Sequence, residues 1–331
     1  MRKIKVGAIQ PRGAPYDPRY NCLAPGYTGD VEAILRDCVT PNLNVSLQLV
    51  AQAGEAGCGI VTTSEDVCGL SRFLVDTTET NAFPALAARS ARMADEAFAS
   101  LAARYGMYVI ACYFRQEDDG AVYNVATVFG RKGERVGAYR KTHLPPDELW
   151  QVRAGDALEV LALDFGTIGI SICYDIMFPE PTAVLAMRGA EIIFHPTGGY
   201  GWYDAIGEAT LRTRANDNSV HIVTAKNYVF NGAGRSGVID FWGQTLADAG
   251  FYENALVCHT LDLDVPKTQP PWFFQTQMSG EARVAPRKLR ERRPELYGAL
   301  TAPCAAPQRA PDAARQAALR ELIRRGECRW G

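Results

Sequence analysis

Apolar and polar residues follow two different periods along the first 260 residues of the chain. Lys3 to Gln10 alternates between apolar and polar positions, which predicts a first β-strand. Residues 84–105 are rich in alanine and carry Leu and Met at helical spacing, and Gly106 is a typical end for such a helix. Because strand-like and helix-like segments continue to alternate, with several hairpins among them, the pattern predicts an α/β fold in which helices cover a mixed sheet.

The same periodicities predict the remaining elements. A Thr-Pro pair at Thr40 and Pro41 is typical of a helix start, with Thr as the cap. Further helices are predicted over residues 40–56, 181–188 and 203–218, strands over 59–63, 108–115, 122–130, 134–139, 159–163, 167–173, 191–195 and 220–226, and a further hairpin over 237–261.

Two segments differ from this pattern. Residues 11–39 are rich in Pro, Gly and Tyr, and they predict a long loop that covers a pocket or contacts a partner subunit. Residues from 266 onward are Pro-rich, then basic over 283–293, and then helical over 312–325. We therefore divide the chain into a domain at 1–265 and a C-terminal extension at 266–331 that packs on a neighbouring subunit.

Composition and charge narrow the class of protein. The chain has 331 residues, of which 47% are hydrophobic and 22% charged, as in ordinary soluble enzymes. A net charge of −2 indicates neither nucleic acid nor a membrane as partner. The first ten residues are too polar for a signal peptide, and no apolar run reaches the length of a membrane span, so we expect a cytoplasmic protein.

Cysteine and histidine usage argues against metals and disulfides. The nine cysteines are few and odd in number, the four histidines are scattered, and neither CxxC nor HExxH occurs. We expect free thiols and no metal. The segment 232–237 fits GxGxxG, but a predicted strand follows where a dinucleotide site needs a helix, so no cofactor is expected.

Three residues with reactive side chains lie at or just past the ends of predicted strands: Glu65, Lys141 and Cys173. If those strands are neighbours, an acid, a cation and a thiol converge at one sheet edge. A carboxylate can accept the thiol proton, and an ammonium can stabilise an oxyanion. A lone cysteine at a strand end is more often a small core residue, and a Cys–His dyad with His143 or His195 is a further alternative, although no spacing favours it.

Four motifs occur in order with the spacing of one family. They are YRKTHL at 139–144, CYDIMFPE at 173–180, RTRANDN at 212–218 and GRSGVID at 234–240. Together with the Glu–Lys–Cys order, they resemble the nitrilase superfamily of carbon–nitrogen hydrolases over residues 3–265. The resemblance implies a four-layer αββα sandwich and a homodimer or larger homo-oligomer.

The resemblance also implies roles for single residues. Cys173 matches the nucleophile, Glu65 the general base, and Lys141 the lysine that stabilises the oxyanion. Glu148 matches a second glutamate that orients the lysine or the substrate, and the backbone N–H of Tyr174 matches an oxyanion donor.

The match at Glu65 departs from the family in one position. The family usually has Pro before the base glutamate, and this chain has Ser64. Asp66 is the neighbouring candidate, but the register of the apolar strand before it favours Glu65.

The residues around the cysteine point to a substrate class. Tyr174-Asp175 replaces the Trp-Glu pair of nitrilases, and Ile176-Met177 replaces the arginines with which N-carbamoyl amino acid hydrolases hold a carboxylate. The resemblance therefore favours a linear amide, cleaved to carboxylate and ammonia through a thioester. A ureido substrate, a nitrile, acyl transfer and a catalytically inactive scaffold remain as alternatives. Candidate pocket residues are Trp150, Tyr174, His195, Tyr200 and Trp202.

Overall fold

Twelve strands and five α-helices make up the described part of the fold. The structure is a computed structural model that describes residues 2–15, 17–22, 26–76, 81–198, 204–228, 235–265 and 292–302. The strands are β1 (Lys3–Gln10), β2 (Ile60–Thr62), β3 (Tyr108–Gln116), β4 (Val122–Phe129), β5 (Arg135–Arg140), β6 (Val160–Ala162), β7 (Thr167–Ile170), β8 (Ile192–Thr197), β9 (His221–Lys226), β10 (Gly237–Ile239), β11 (Thr245–Asp248) and β12 (Ala255–Asp262). The helices are α1 (Val31–Ile34), α2 (Thr40–Glu55), α3 (Phe83–Tyr105), α4 (Pro179–Met187) and α5 (Asp204–Asn218).

The strands form two six-stranded mixed sheets with matching organisation. The first has the order β12-β1-β2-β3-β4-β5, and the second β11-β10-β9-β8-β7-β6. In each sheet the three central strands are parallel and the outer ones antiparallel. The carboxyl ends of the parallel strands of a sheet therefore share one edge, and this edge carries the functional groups described below.

Four layers follow from the alternation of side chains along each strand. On β1, Val6 and Ala8 face the second sheet, whereas Ile9 faces the layer of α2 and α3. A third apolar cluster lies between the second sheet and α4 and α5. Since both faces of both sheets are covered, the central strands are buried and largely apolar, and the predicted αββα sandwich is confirmed.

The first helical layer begins earlier than predicted. α2 has the predicted bounds to within one residue, but it continues an earlier helix. α1 begins at Val31, after the N-cap Asp30, and a π-helical stretch at Leu35–Val39 joins it to α2. The predicted cap at Thr40 was therefore wrong, and its hydroxyl donates back to the Leu35 carbonyl oxygen at 2.9 Å. The wider π turn accommodates Pro41, which has no N–H to donate. The predicted loop at 11–39 thus contains helix in its last third.

The predicted hairpin at 237–261 was also wrong in part. β10 and β11 do form an antiparallel pair, but β12 leaves that sheet and pairs with β1 over eight residues, from Lys3 opposite Asp262 to Gln10 opposite Ala255. The Gln10 side-chain amide helps to hold the crossing, since it donates to the carbonyl oxygens of Gly250 and Tyr252 at 3.0 and 2.8 Å. The side-chain periodicity of β12 does not show whether it pairs with β11 or with β1, because an alternating strand fits either sheet.

The C-terminal extension is described only over 292–302, which forms two short 3-10 turns at Pro294–Leu296 and Gly298–Thr301. The helix predicted over 312–325 and residues 232–234 of the GxGxxG segment lie outside the described residues, whereas Gly237 begins β10. No helix in the described part of the chain is long and apolar enough to cross a membrane.

Candidate active site

The three predicted reactive side chains meet where strand ends of the two sheets lie close together, and not on neighbouring strands at one sheet edge. Glu65 follows β2 and Lys141 follows β5, both in the first sheet, while Cys173 follows β7 in the second. The Lys141 backbone is tied to the strand beside it, because its N–H donates to the Asn124 carbonyl oxygen at 2.9 Å. The site therefore forms between the sheets, where strand ends of both converge.

Lys141 is the centre of a buried polar cluster. Its ammonium donates to Glu65 Oε1 at 2.8 Å and to Glu148 Oε1 at 2.7 Å, and its side chain is 1% exposed. The Asn124 side-chain amide donates to the same two oxygens, at 2.8 and 3.0 Å. Glu65 Oε2 in turn accepts the Gly198 backbone N–H at 2.7 Å. Both glutamates are thus fixed in position by donors on at least two elements.

The backbone of Cys173 has a conformation that residues other than glycine rarely adopt. Its φ is +45°, in the left-handed region, directly after the extended Ile172. Asp175 holds this turn, because its carboxylate accepts the N–H groups of Ile172 at 2.8 Å and His143 at 2.9 Å, together with the Tyr139 hydroxyl at 2.8 Å. The prediction that Asp175 is structural and bonds backbone at the turn is confirmed. Such strain at a half-buried thiol is typical of functional residues.

The pKa values of the two glutamates beside Lys141 shift in opposite directions. Burial would raise the pKa of Glu65, but the charge and hydrogen bond of Lys141 outweigh it, so the pKa lies below its ordinary value. Burial raises the pKa of Glu148 to about 8, because the repulsion from Glu65 offsets part of the attraction to Lys141. Burial would lower the pKa of Lys141, yet the charges of Glu148 and Glu65 hold it well above the ordinary value. Burial and the repulsion between the two carboxylates thus favour a proton on Glu148, whereas Lys141 favours the charged form of Glu65.

The thiol of Cys173 is protonated at rest. Burial and the charge of Glu65 raise its pKa to about 12, against the opposing charge of Lys141. Interactions with the side chains of Glu65 and Thr197 also act on the pKa of the thiol. The proton that must leave before the sulfur can attack already lies beside the anionic carboxylate.

Asp66 points away from this cluster. Its carboxylate accepts the N–H groups of Leu70 and Ser71 at 2.9 and 2.6 Å and the Ser71 hydroxyl at 2.7 Å. Ser64 is fully buried, and its hydroxyl has no hydrogen-bond partner among the described residues. The serine in place of the usual proline thus leaves Glu65, rather than Asp66, next to Lys141.

The predicted pocket residues are distributed unevenly. Trp150 is half-buried in the short turn that carries Glu148. Tyr174 is also half-buried and packs edge-on against Phe178, with ring centroids 5.6 Å apart. His195 is buried within β8, and its Nδ1 pairs with the Ser171 hydroxyl at 3.1 Å, which places it in the strand layer beneath the turn. Tyr200 and Trp202 lie outside the described residues.

Sequence reasoning missed four groups around the cluster: Asn124, Thr197, the Gly198 N–H, and Asn227, whose side-chain amide donates to the Glu65 carbonyl oxygen at 3.0 Å. Asn124 left a signal, because it is a polar residue in a strand whose eight residues are all buried. No group of three or more His, Cys, Asp or Glu in the described ranges could hold a metal ion.

Sequence comparison identifies the family. The family model of the carbon–nitrogen hydrolases matches residues 38–268. A protein of Pseudomonas protegens, described as the hydrolase in the pqqF 5′ region, is 35% identical over 61% of this chain and 68% of its own. Omega-amidase NIT2-B of Xenopus laevis is 29% identical over 81% of this chain and 95% of its own.

Solved structures share the fold. The amidase from Nesterenkonia sp. AN1, as a double mutant in complex with acrylamide, has a TM-score of 0.67 at 19% identity and covers 91% of this chain and 98% of its own. The carbon–nitrogen hydrolase from Helicobacter pylori G27 has a TM-score of 0.71 at 21% identity, over 90% and 98%. With the family model spanning more than half of its residues, this chain belongs to the carbon–nitrogen hydrolases of the nitrilase superfamily.

Proposed function

We propose that this enzyme hydrolyses linear amides to a carboxylate and ammonia through a thioester on Cys173. One observation carries the proposal: Lys141 is buried between Glu65 and Glu148, and the charge of Glu65 also acts on the thiol of Cys173. A cation, a base and a nucleophile thus meet in a site with little access to water, where charges act strongly.

The first half of the reaction forms the thioester. Glu65 accepts the thiol proton while the Cys173 sulfur attacks the amide carbon, and the carbonyl π electrons move onto the oxygen. The Lys141 ammonium and the Tyr174 backbone N–H stabilise that oxyanion, and one such donor is worth about 3–4 kcal/mol in other enzymes. As the carbonyl re-forms, the C–N bond breaks and Glu65 returns the proton to the departing ammonia.

The second half releases the acid. Glu65, again a carboxylate, takes a proton from a water molecule while the water oxygen attacks the thioester carbon. The C–S bond then breaks, and the proton returns to the sulfur. Because the thiol begins and ends protonated, the high pKa of Cys173 is compatible with turnover, provided that Glu65 starts each half as the anion.

Two observations support an amide over a ureido acid. Met177 is 47% exposed and stands in the stretch where N-carbamoyl amino acid hydrolases carry arginines, so no cation of this turn is available for a carboxylate. Among the relatives are proteins named omega-amidase, and a mutant of the Nesterenkonia amidase, a fold relative, shows covalent addition of the acetamide moiety of fluoroacetamide at its active-site cysteine.

Ammonia release from a panel of simple aliphatic amides, N-carbamoyl amino acids and nitriles tests the proposal. We expect turnover of the amides by the full chain and none by Cys173→Ala. Intact-mass analysis after rapid quenching should show the acyl group on Cys173. Turnover of the N-carbamoyl compounds alone would replace the amide assignment, and no turnover of any class would favour an inactive scaffold.

Added hydroxylamine separates hydrolysis from acyl transfer. If the thioester is handed mainly to water, the carboxylate remains the main product at moderate hydroxylamine concentrations. A hydroxamate as the main product under those conditions would make this chain an acyltransferase.

A further inference from the structure

A second pair of thiols lies apart from the catalytic cluster. Cys58, between α2 and β2, and Cys258, on the edge strand β12, are 200 positions apart in the chain, yet their sulfurs are 3.3 Å apart. Both belong to the apolar cluster between the first sheet and its helices. Cys58 precedes β2, whereas Glu65 follows it, so the pair and the active site lie at opposite ends of that strand.

Gly7 makes this approach possible. On β1 it stands between the two cysteines, as the register partner of Cys258. A Cβ at position 7 would lie only 3.1 Å from the Cys58 sulfur and 3.3 Å from a methyl group of Val61. The missing side chain therefore leaves the space across which the two thiols meet.

The two sulfurs are chemically unequal. Cys58 is 5% exposed and Cys258 is half-buried, so Cys258 is the one within reach of solutes. The hydrogen bond between the two sulfurs lowers the pKa of Cys258 and raises that of Cys58. Lys5, whose ammonium donates to the Ala56 carbonyl oxygen at 2.6 Å, adds a favourable charge for a thiolate. Thiolate character and access are what oxidation requires.

We propose that Cys58 and Cys258 form a redox modification site that closes to an intramolecular disulfide when the protein meets a hydroperoxide. The Cys258 thiolate attacks the outer peroxide oxygen and becomes a sulfenic acid, and the O–O bond breaks to release water or an alcohol. The Cys58 sulfur then attacks the Cys258 sulfur, the S–O bond breaks, and hydroxide leaves with the Cys58 proton as water. Two thiols are oxidised and one peroxide is reduced.

Closure requires only a small movement. The sulfurs must approach from 3.3 Å to about 2.0 Å, which rotation of two side chains beside Gly7 can supply. The bond would join the end of α2 to β12 and close a long loop, so the oxidised protein should melt at a higher temperature.

Peptide mapping of the folded full chain under non-reducing conditions tests the site. We expect hydrogen peroxide to produce a linked pair of peptides containing Cys58 and Cys258 in a Cys173→Ala background, which removes the catalytic thiol from the reaction. Dithiothreitol should reverse the link and the rise in melting temperature. Cys38→Ser, which replaces another buried thiol of the same cluster, should leave the link unchanged.

Two serine variants test the order of events. In Cys58→Ser, Cys258 should stop as a sulfenic acid that dimedone traps, whereas in Cys258→Ser, Cys58 should remain a thiol. Absence of the linked peptides from folded protein at every peroxide concentration would overturn the site. Trapping of Cys58 in place of Cys258 would overturn the assignment of the reactive sulfur.

Discussion

The two glutamates that contact Lys141 are alike in side chain, but their pKa values shift in opposite directions. Glu65 is also held by the Gly198 N–H at Oε2, and the lysine, the amide and this N–H all donate to its carboxylate. Glu148 Oε2 is buried with no hydrogen-bond partner among the described residues, and burial without a donor on this oxygen favours the neutral form. We therefore assign the base to Glu65 and a neutral, orienting acid to Glu148.

Exchange of each glutamate for glutamine tests this assignment. Glu65→Gln removes the base, and kcat should fall at least about 1,000-fold, within the range that a positioned base contributes. Glu148→Gln copies the neutral acid, so kcat should fall less than about tenfold, and any loss of activity above about pH 8 should disappear. Steady-state kinetics from about pH 5 to 10 measure both effects.

Matched variants support the interpretation. Asp66→Asn changes the neighbouring acid that bonds its own loop, and it should leave the pH profile unchanged. Glu148→Ala removes the contact to Lys141 and should cost more than Glu148→Gln. Equal losses of kcat in Glu65→Gln and Glu148→Gln would contradict the assignment of a charged base to Glu65 and a neutral acid to Glu148.

Asn124 positions the two glutamates from the strand beside them. Asn124→Leu removes a donor to each carboxyl group, and the bond to the charged Glu65 is worth about 1.5–3 kcal/mol. We expect kcat to fall by roughly 10- to 100-fold with little change in KM, and the acid limb of the pH profile to move upward as Glu65 loses a donor. An unchanged pH profile would indicate a merely structural role.

At the scale of elements, a single strand can position a functional group and also bury a side chain whose burial costs stability. β9 brings Asn227 to the site but also buries His221, whose two ring nitrogens have no hydrogen-bond partner among the described residues. Burial lowers the pKa of His221 to about 4. The folded protein therefore excludes the charged imidazole, while the unfolded chain takes up a proton near about pH 6.5.

The stability of the protein should depend on this histidine below about pH 6.5. Its contribution is fully present above the unfolded pKa and is lost as the pH falls toward 4, which amounts to about 2 kcal/mol between about pH 7.5 and 5. His221→Leu should flatten that part of the pH dependence, as measured by urea unfolding. An unaltered slope in His221→Leu would contradict the depressed pKa.

At the scale of the whole molecule, the two sheets are joined at their rims as well as through their apolar faces. Arg2, before β1, bonds Glu191, before β8, with distances of 2.8 and 3.0 Å, and it also bonds Asp264. Arg131 and Asp164 connect two turns at 2.7 Å. These partly exposed pairs connect the two sheets at their rims, and each contributes little stability alone.

We propose that the chain assembles into a homodimer or a larger homo-oligomer. Met187 on α4 is 50% exposed, and Met177, which precedes that helix, is also exposed, so the outer helical layer retains apolar surface. Light scattering coupled to size exclusion should give at least twice the 36.2 kDa of one chain. A monomer at micromolar concentration would contradict this expectation and, with it, an oligomer contact for residues 266–331.

Much of this architecture could be predicted because its signals are local. β1 and α3 begin and end within one residue of their predicted positions, since side-chain periodicity and the left-handed Gly106 act over a few residues. The cap predicted at Thr40 failed because a π turn lets the helical path continue past Pro41. The predicted pairing of β12 was wrong because its pairing with β1 depends on contacts between segments at opposite ends of the domain.

The candidate site divides in the same way. Glu65, Lys141 and Cys173 could be recognised in the sequence, because a reactive side chain after a strand and a spaced motif are properties of short segments. The tertiary structure alone decided that Asn124 and Lys141 share the same two carboxylate oxygens, and that Cys58 meets Cys258 over Gly7. Charge states and contacts of this kind depend on burial and on which distant segments pack together, and neither quantity is encoded in any single stretch of the chain.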